Sequence, residues 1–448
     1  MAAVLAATLL LGGCASFSSD GGFDAVREMT KARTGHSPTY RRTPQDNETA
    51  AARVAELLGP TLTPDSAVEI ALLNNRGLQA AFSELGIAEA DRVRAGRLRN
   101  PSLSFGSLSG GGATEIDRAV MFDVLGLLTL PTARAVEQGR FEQAQWQAAS
   151  DAVGIAGETQ RAFFIAVAAE ELVRYFGQVK DAADAASELA QRMLAAGNFS
   201  KLAQMREQAF QADASVQLAR ARQQALAARE RLTRLLGLSG TQLGFKLPER
   251  LPDLPAEPIA AQNAEQTAMD TRLDVTMARR NATAAAASLG LTQATRMVNV
   301  LDAGYQNKSQ STAPRMNGYQ IELELPLFDF GRARVARAEA VYMQAVHRTA
   351  EVAVNAQSEV RESYAAYRSA YALAQHYRDE VVPLRKRISD ENLLRYNGML
   401  ISVFELLADA REQVASVAAS VEALRDHWIA QAWLQATLSG RTPKEQQP

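Results

Sequence analysis

The stretch YQIELEL, residues 319–325, is the most informative about the fold because it alternates strictly between apolar and polar side chains. Successive residues of a β-strand point to opposite sides, so its Tyr, Ile and Leu residues would share one face and its Gln and Glu residues the other. Glutamates facing an ordinary sandwich core would be costly. We therefore predict a strand with one face suited to lipid and the other to water.

The chain carries two copies of one pattern, about 200 residues apart. Each copy is predicted to contain a short helix, two strands, a very long helix and a half-length helix, in that order. The tripeptide Leu-Ser-Gly ends the first copy at Gly240 and the second at Gly440. Further matching pairs are Arg76 with Arg272, Arg99 with Arg296, Arg134 with Arg332, and Gly197 with Gly398.

The elements of each copy are predicted from start and stop signals. Thr63 followed by Pro64 is a typical helix start, and alternation on either side of a Gly-rich tip indicates a hairpin. The first copy, 63–246, is predicted to contain a hairpin at about 101–128, a long helix at 131–196 and a helix at 200–237. After a Pro-rich linker at 247–258, the second copy, 259–440, is predicted to contain a hairpin at about 297–325, a long helix at 331–397 and a helix at 401–438, before a tail at 441–448.

The helix lengths predict paired rods. The first long helix would extend about 100 Å at 1.5 Å per residue, and the short and half-length helices of the same copy together reach a similar length. Between Val403 and Trp428, apolar residues follow one another at steps of three and four, which favours coiled-coil packing. A plain coiled coil would explain this spacing equally well, but it would not explain the hairpins.

Four strands per chain cannot close a barrel, and an open sheet edge in hydrocarbon leaves backbone groups unpaired. Three chains would supply twelve strands, an even number within the range of outer-membrane barrels. We therefore predict a homotrimer. The predicted fold class is mainly α with a small β part: long antiparallel helical hairpins form an α-barrel, and four strands per chain contribute to a trimeric 12-strand transmembrane β-barrel.

Composition argues against several classes of function. The net charge of −2 is close to zero and the basic residues are interspersed with acidic ones, which makes nucleic acid an unfavoured partner. The histidines form no pair at metal-ligand spacing, and the single cysteine has no Cys partner for zinc. Phosphate loops, hydrolase elbows and zinc-protease motifs do not occur. We expect no enzyme activity, no metal site and no cofactor.

The single cysteine, Cys14, follows a short apolar run from Val4 to Leu11. This run is shorter than the roughly 20 residues that span a bilayer, and it is typical of a secretory signal. Leu-Gly-Gly-Cys resembles a bacterial lipobox, so residues 1–13 would be a lipoprotein signal peptide and 14–62 a lipidated N-terminus with an extended tail. Because no Lys or Arg precedes the run, the true start codon could lie upstream. The alternative is a free cysteine at the end of an ordinary leader.

In the order of its parts, the chain beyond the leader resembles an outer membrane efflux protein of the TolC family, in its lipoprotein branch. The resemblance implies a trimeric β-barrel in the outer membrane, continuous with a periplasmic α-barrel. It also implies partners: outer membrane lipid, a periplasmic membrane fusion (adaptor) protein and an inner-membrane pump, often of the resistance-nodulation-division type. Such channels catalyse nothing and pass drugs, metals or other small solutes unchanged.

The resemblance also implies roles for the turns after the long helices, which would lie at the periplasmic tip and dock the adaptor. The candidate docking residues are Gly197, Asn198, Ser200, Tyr396, Gly398 and Ser402. A glycine can adopt the left-handed conformation that ends a helix, and a serine can cap the next helix. Turn chemistry alone would account for both residue types.

The same family comparison places a pore constriction near the second turn. Glu405 lies where an inward carboxylate is expected, whereas the second acidic position falls on Ala408 with Asp409 beside it. Leu400 or Phe404 could instead form an apolar plug. Further along, a proline at 383 interrupts the second long helix and would kink it, with or without a role in channel closure.

The strongest rival function is a lipid-anchored periplasmic coiled-coil spacer without a pore. Such a spacer has no use for a strand with an apolar face opposite a charged one. The sequence does not identify the transported substrate.

Overall fold

The computed structural model of the chain describes residues 16–260, 264–311 and 313–440. Its residues form two compact units, and each unit contains parts of both copies. The strand unit comprises residues up to Val26, Ala81–Ala149 and Leu273–Val354, and the helical unit comprises Arg27–Ala80, Ser150–Arg272 and the residues from Asn355 onward. Cys14 lies outside the described residues. In the described part of the chain, every helix is too short or too polar to cross a membrane.

The segment that the sequence predicts as an extended N-terminal tail contains two helices, α1 (Phe23–Thr34) and α2 (Pro44–Leu58), so this prediction is wrong for the described residues. The reason for α2 is a capping box, in which the side chains of Thr43 and Asp46 each accept a hydrogen bond from the other residue's backbone N–H. Val54 on this helix is buried. Local capping together with a few buried side chains is enough to form a helix in a segment whose sequence has little apolar periodicity.

Both copies contain two short helices, a hairpin, a long helix and a half-length helix. The first copy consists of α3 (Pro64–Asn74), α4 (Arg76–Ala95), β1 (Ser102–Gly110), β2 (Ala113–Asp123), α5 (Val124–Ala195) and α6 (Lys201–Leu236), followed by a 3₁₀ turn at Gly240–Gly244. The second consists of α7 (Ala264–Thr271), α8 (Leu273–Ala294), β3 (Val300–Gln310), β4 (Ala313–Glu324), α9 (Arg332–His376), α10 (Val382–Asn397) and α11 (Val403–Ser439).

The first long helix begins earlier than its sequence indicates. The prediction starts it at Pro131, but α5 begins at Val124 and contains that proline. Asp123 initiates the helix, because its Oδ1 accepts a hydrogen bond of 2.6 Å from the backbone N–H of Gly126. As a result, β2 runs directly into α5 without an intervening loop.

The four strands form a single antiparallel sheet in the order β1-β2-β3-β4. The hairpin of the first copy joins the hairpin of the second through β2 and β3, where Val120 lies opposite Tyr305. In the second hairpin, Tyr305 lies opposite Tyr319. This pairing places the two copies side by side in one wall.

The core of the helical unit joins α3, α5 and α6. Its fully buried side chains include Ile70, Phe163 and Leu232. Asn74 at the end of α3 donates from Nδ2 to the backbone carbonyls of Leu236 (3.0 Å) and Gly237 (2.7 Å). These bonds satisfy carbonyl groups that the last turn of a helix leaves unpaired, and they fix α3 against the end of α6.

The second long helix is interrupted near its proline. A π-helical turn at Tyr377–Val381 separates α9 from α10, and Pro383 is the second residue of α10. The backbone N–H of Val382 bonds the carbonyl of Tyr377, five residues earlier. Because proline has no N–H and its ring clashes with the carbonyl four residues before it, a wider turn accommodates it.

Candidate functional site

One face of the sheet, here called the apolar face, exposes a continuous band of large apolar side chains. The register places them in adjoining rows: Leu103, Phe105, Val120, Phe122, Leu301, Tyr305, Tyr319, Ile321 and Leu323. Tyr319 is 92% exposed, Leu103 79% and Ile321 72%. A patch of this kind is rare on a protein surface that meets only water and marks a surface covered by lipid or by another protein.

The apolar band is confined to the half of the face that lies nearer the helices. Toward the hairpin turns the same face becomes polar, where Arg118 donates to the side chain of Asn307 (3.0 Å) and Asn307 donates to that of Asn317 (2.6 Å). A polar zone beyond an apolar band is the pattern of a membrane strand that emerges into water.

The opposite face, here called the charged face, carries six carboxylates and one lysine: Glu115, Asp117, Asp123, Asp302, Glu322, Glu324 and Lys308. The Nζ of Lys308 lies 3.5 Å from carboxylate oxygens of both Glu115 and Asp117. Such a face needs water, because isolated charges in an apolar medium are very costly.

Three of these carboxylates lie in one row across neighbouring strands. Asp302 on β3 is opposite Asp123 on β2 and opposite Glu322 on β4. Directly opposite side chains have Cβ atoms roughly 5 Å apart, and like charges in that position repel one another. The row therefore produces a strongly negative potential on the charged face.

Both edges of the sheet are open. Within the described residues, β1 pairs only with β2 and β4 pairs only with β3. Each outer strand therefore presents a row of unpaired backbone N–H and C=O groups, which forms a template for another strand. The four strands are a segment of a wall and not a closed structure.

The turn between α5 and α6 has the geometry that the sequence predicts. Gly197 is left-handed with a φ of 77°, and the N–H of Asn198 bonds the carbonyl of Met193 at 2.9 Å. Ser200 caps α6, since its Oγ accepts from the N–H of Ala203 at 3.2 Å. Together these contacts close one helix and begin the next.

The turn between α10 and α11 corrects one prediction. Gly398 has a φ of −80°, and the left-handed residue is Met399 with a φ of 58°. The reason is the one additional residue in this turn, which moves the left-handed position so that it still lies three residues before the capping serine, Ser402. The Oγ of that serine accepts from the N–H of Glu405 at 3.3 Å.

The second turn exposes apolar side chains. Met399 is 93% exposed, Leu400 78% and Tyr396 39%. Glu405 is exposed and Asp409 half-buried, with no hydrogen-bond partner for Asp409 Oδ2 among the described residues. The side chain of the remaining candidate, Phe404, lies outside the described part.

An ion pair between the two copies, with a buried carboxylate and a partly exposed arginine, was not predicted from the sequence. Glu207 on α6 is 2% exposed and pairs with Arg411 on α11 at 3.1 Å, while the Arg411 guanidinium lies 4.6 Å from the ring centre of Phe210. No local motif could reveal a pair that is separated by 204 residues. Its one visible signal is that both residues follow a tip serine by about two turns: Glu207 lies seven residues after Ser200, and Arg411 lies nine residues after Ser402.

His427 is a second feature that sequence reasoning missed. It is fully buried, and its ring centre lies 5.2–5.5 Å from those of Tyr367, Tyr371 and Trp428. Burial lowers the pKa of His427 to about 4. The same three aromatic residues hold the inter-copy linker through hydrogen bonds to the backbone of Ile259, Pro255, Ala256 and Pro252.

Within the described residues there is no group of three or more His, Cys, Asp or Glu side chains arranged to hold a metal ion. The candidate functional surfaces described above are the two faces of the sheet, its open edges and the two tip turns.

No protein-family model matches the chain. Over 252 residues it is 28% identical to the cobalt-zinc-cadmium resistance protein CzcC of Cupriavidus metallidurans; the match covers 55% of this chain and spans 60% of the length of that relative.

Among solved structures, the chain is similar to a membrane protein from Pseudomonas aeruginosa, with a TM-score of 0.73 and 18% identity over 87% of this chain and 94% of the other. It is also similar to the outer membrane channel MtrE of Neisseria gonorrhoeae, with a TM-score of 0.69 and 16% identity over 88% and 91%. The chain therefore has the fold of outer membrane channel proteins, and its resemblance to the efflux proteins of the TolC family is confirmed at the level of the fold.

Proposed function

We propose that this protein is the outer membrane exit channel of a tripartite efflux system. The single observation that carries the proposal is the two-faced sheet, with an exposed apolar band on one face and six carboxylates on the other. Lipid would cover the first face and water would fill the space along the second. A periplasmic spacer, the rival function, leaves both faces without a role.

The open edges support a homotrimer. An unpaired strand edge is not tolerated in hydrocarbon, because no water is present to satisfy its backbone groups. Three subunits, each with a four-stranded sheet, give twelve strands, and β4 of one subunit would pair antiparallel with β1 of the next subunit. Closure in this way satisfies every edge with identical subunits.

The partners follow from the proposed function. A periplasmic adaptor protein would dock at the tip turns formed by Gly197, Asn198, Ser200, Tyr396, Gly398 and Ser402, and an inner-membrane pump, of the resistance-nodulation-division type, would supply the energy. Leu400, Phe404, Glu405 and Asp409 are the candidates for the constriction. Pro383 and the π turn before it would bend the second long helix toward closure. Acylation of Cys14 would add an anchor in the outer membrane.

The transported solutes would be small molecules or ions that pass unchanged. Metal ions are one candidate class, because the relative CzcC is described as a metal resistance protein and the charged face favours cations over anions. Drug-like cations are the other class that fits the same potential.

Three measurements test this function. We expect the protein purified in mild detergent to have three times the mass of its 48.4 kDa chain by light scattering, and to conduct ions in a planar lipid bilayer. Membranes washed with high salt should retain it until detergent is added. A folded monomer without conductance, released by salt alone, would exclude the channel and favour the spacer.

A further inference from the structure

The strand unit contains a cavity of about 600 Å³ between the end of α4, the loop that follows it and the first turns of α5. Its apolar lining includes Phe17, Val93, Leu98 and Leu130. Asp123, the last residue of β2, is part of the lining, so the cavity lies at the end of the sheet from which α5 begins. If the sheet spans the membrane, as the proposed function requires, this position lies at a membrane–water boundary.

Three arginines within six residues line the same cavity: Arg94, Arg97 and Arg99. Arg94 forms an exposed ion pair of 3.1 Å with Asp91. Arg99 is exposed and forms no ion pair within the described residues. The one carboxylate in the lining, Asp123, is engaged with the N-terminus of α5 through the N–H of Gly126. The cavity thus combines an apolar floor with guanidinium groups at its margin.

The N-terminal segment completes the cavity through a buried contact. The backbone N–H of Ser18 donates to Glu89 Oε1 at 2.7 Å, and Glu89 is only 3% exposed. This bond holds the neighbouring Phe17 at the cavity, although Phe17 itself is 59% exposed. Phe17 thus adds an aromatic surface, open to solvent, to the apolar part of the lining.

The equivalent junction in the second copy is built differently, because a loop of the chain packs closely against it. A seven-residue loop follows β4, and Gly331 lies so close to Arg296 that a Cβ on this glycine would clash with the Arg296 carbonyl oxygen. Arg334 donates to the carbonyl oxygens of Thr295 (3.2 Å) and Arg296 (3.1 Å). The first copy has no such loop, because β2 runs directly into α5. The two copies therefore differ in structure at this junction.

We propose that this cavity binds an anionic phospholipid, with the phosphate at Arg97 and Arg99 and the upper acyl chains against Leu98, Leu130 and Phe17. Guanidinium groups recognise phosphate oxygens with charge-assisted hydrogen bonds, and the volume is in the range of small-molecule sites. Each subunit of the proposed channel would hold one such lipid beside its wall. This inference rests on the proposed function, since a protein away from the membrane would not meet the ligand.

The test uses delipidated protein in detergent, titrated with phosphatidylglycerol and followed by native mass spectrometry. We expect one retained lipid per subunit. Retention should be about tenfold weaker for phosphatidylethanolamine, because its ammonium group places a positive charge beside the arginines, and about tenfold weaker for the double variant Arg97→Gln/Arg99→Gln, because the charge-assisted bonds to the phosphate are lost. Ala133→Trp, which fills the cavity, should have the same effect. The matched control is Arg220→Gln/Arg222→Gln, an exposed pair with the same spacing on α6, which should retain the lipid like the unchanged protein.

Equal losses of bound phosphatidylglycerol in the two double variants would overturn the inference, because they would show that any exposed arginine pair attracts the lipid non-specifically. Glycerol phosphate competing as well as the intact lipid would reduce the site to an anion site and overturn it too. Retention that appears only after Cys14→Ser would assign the cavity to the protein's own acyl chains. Ion conductance of the unchanged protein separates the two proposals: a conducting protein that binds no phosphatidylglycerol refutes only the lipid site, whereas a non-conducting one refutes the channel.

Discussion

Met399 shows that the capping serine, and not the glycine, determines the geometry of the tip turns. The left-handed residue lies three residues before the serine in both copies, at Gly197 in the first and at Met399 in the second. A side chain in that conformation costs on the order of 1 kcal/mol. The second turn therefore stores strain at a fully exposed apolar residue, in the region proposed to meet the adaptor.

Met399→Gly should relieve this strain. We expect backbone amides of the second turn to exchange with deuterium about fivefold more slowly, the factor that corresponds to roughly 1 kcal/mol. Gly398→Ala is the control and should change little, because a φ of −80° suits any residue. Faster exchange in Gly398→Ala, comparable with that of Gly197→Ala, would show that the glycine is required after all.

The buried imidazole of His427 makes the stability of the folded protein depend on pH. Its pKa is about 4 in the folded protein and about 6.5 in an unfolded chain, so below pH 6.5 the unfolded state binds a proton that the native state does not. Stability is unaffected by this group above pH 6.5 and falls as the pH decreases toward 4. The loss at pH 5 should be about 2 kcal/mol.

His427→Phe should remove that dependence and raise the thermal midpoint at pH 5 relative to the unchanged protein. His347→Phe, at an exposed histidine on α9, is the control and should leave the pH profile as it was. Circular dichroism melts at pH 5 and pH 7 give the comparison. Identical profiles for the protein and its His427→Phe variant would contradict the assignment.

At the scale of the element, the two faces of β4 should respond oppositely to one added charge. Ile321 lies on the apolar face and the adjacent Gln320 on the charged face. Ile321→Lys should reduce membrane-inserted protein strongly, because a lysine facing lipid costs about 2–4 kcal/mol near the midplane. Gln320→Lys should insert normally, and floatation of liposomes after refolding measures both. Equal insertion of the two variants would remove the lipid-facing assignment.

The carboxylate row on the charged face predicts ion selectivity. In a potassium chloride gradient across a planar bilayer, the reversal potential should show a preference for potassium, since fixed negative charges concentrate cations. Asp302→Asn/Glu322→Gln should reduce this preference, and Lys308→Gln should increase it because it removes the one positive charge of this face. A shift of the same sign in both variants would exclude the row as its origin.

At the scale of the whole molecule, closure of the wall depends on how tightly β2 and β3 approach. A Cβ at Gly304 would clash with the Val120 carbonyl oxygen and with Met121, whereas a Cβ at Gly318 meets nothing within 4 Å. Gly304→Ala should therefore lower the yield of trimers resistant to detergent, and Gly318→Ala should not. Cross-linking followed by gel electrophoresis counts the species. Full trimer yield for Gly304→Ala would mean that the close approach is dispensable.

Much of this fold is readable from local patterns. The strand predicted at 319–325 and most of the length of the long helices follow from side-chain periodicity, which acts over a few residues. The N-terminal helices were not predicted from the sequence. One of them, α2, depends on the Thr43–Asp46 capping box and on the burial of Val54, and burial is a tertiary property. The early start of α5 was not predicted, because the Asp123 carboxylate takes the place of a conventional helix-start signal.

The sites were less predictable than the fold. Matching Gly398 to Gly197 predicted the wrong left-handed residue in the second turn. One inserted residue lies between Gly398 and Ser402, and the left-handed position keeps its distance from the capping serine and not from the glycine. The Glu207–Arg411 pair and the aromatic surroundings of His427 join residues that are far apart in sequence. The lining of the cavity beside Arg99 comes from α4, the end of β2, α5 and the N-terminal segment, and only the folded chain brings these parts together.

The two open edges of the sheet also have a genetic consequence. Since every subunit depends on two neighbours, a cell that makes intact and closure-defective chains in equal amounts would assemble only about one eighth of its trimers from intact chains alone. A mutant allele with defective strand edges would then be dominant over the normal allele, whereas an allele that is never translated would be recessive.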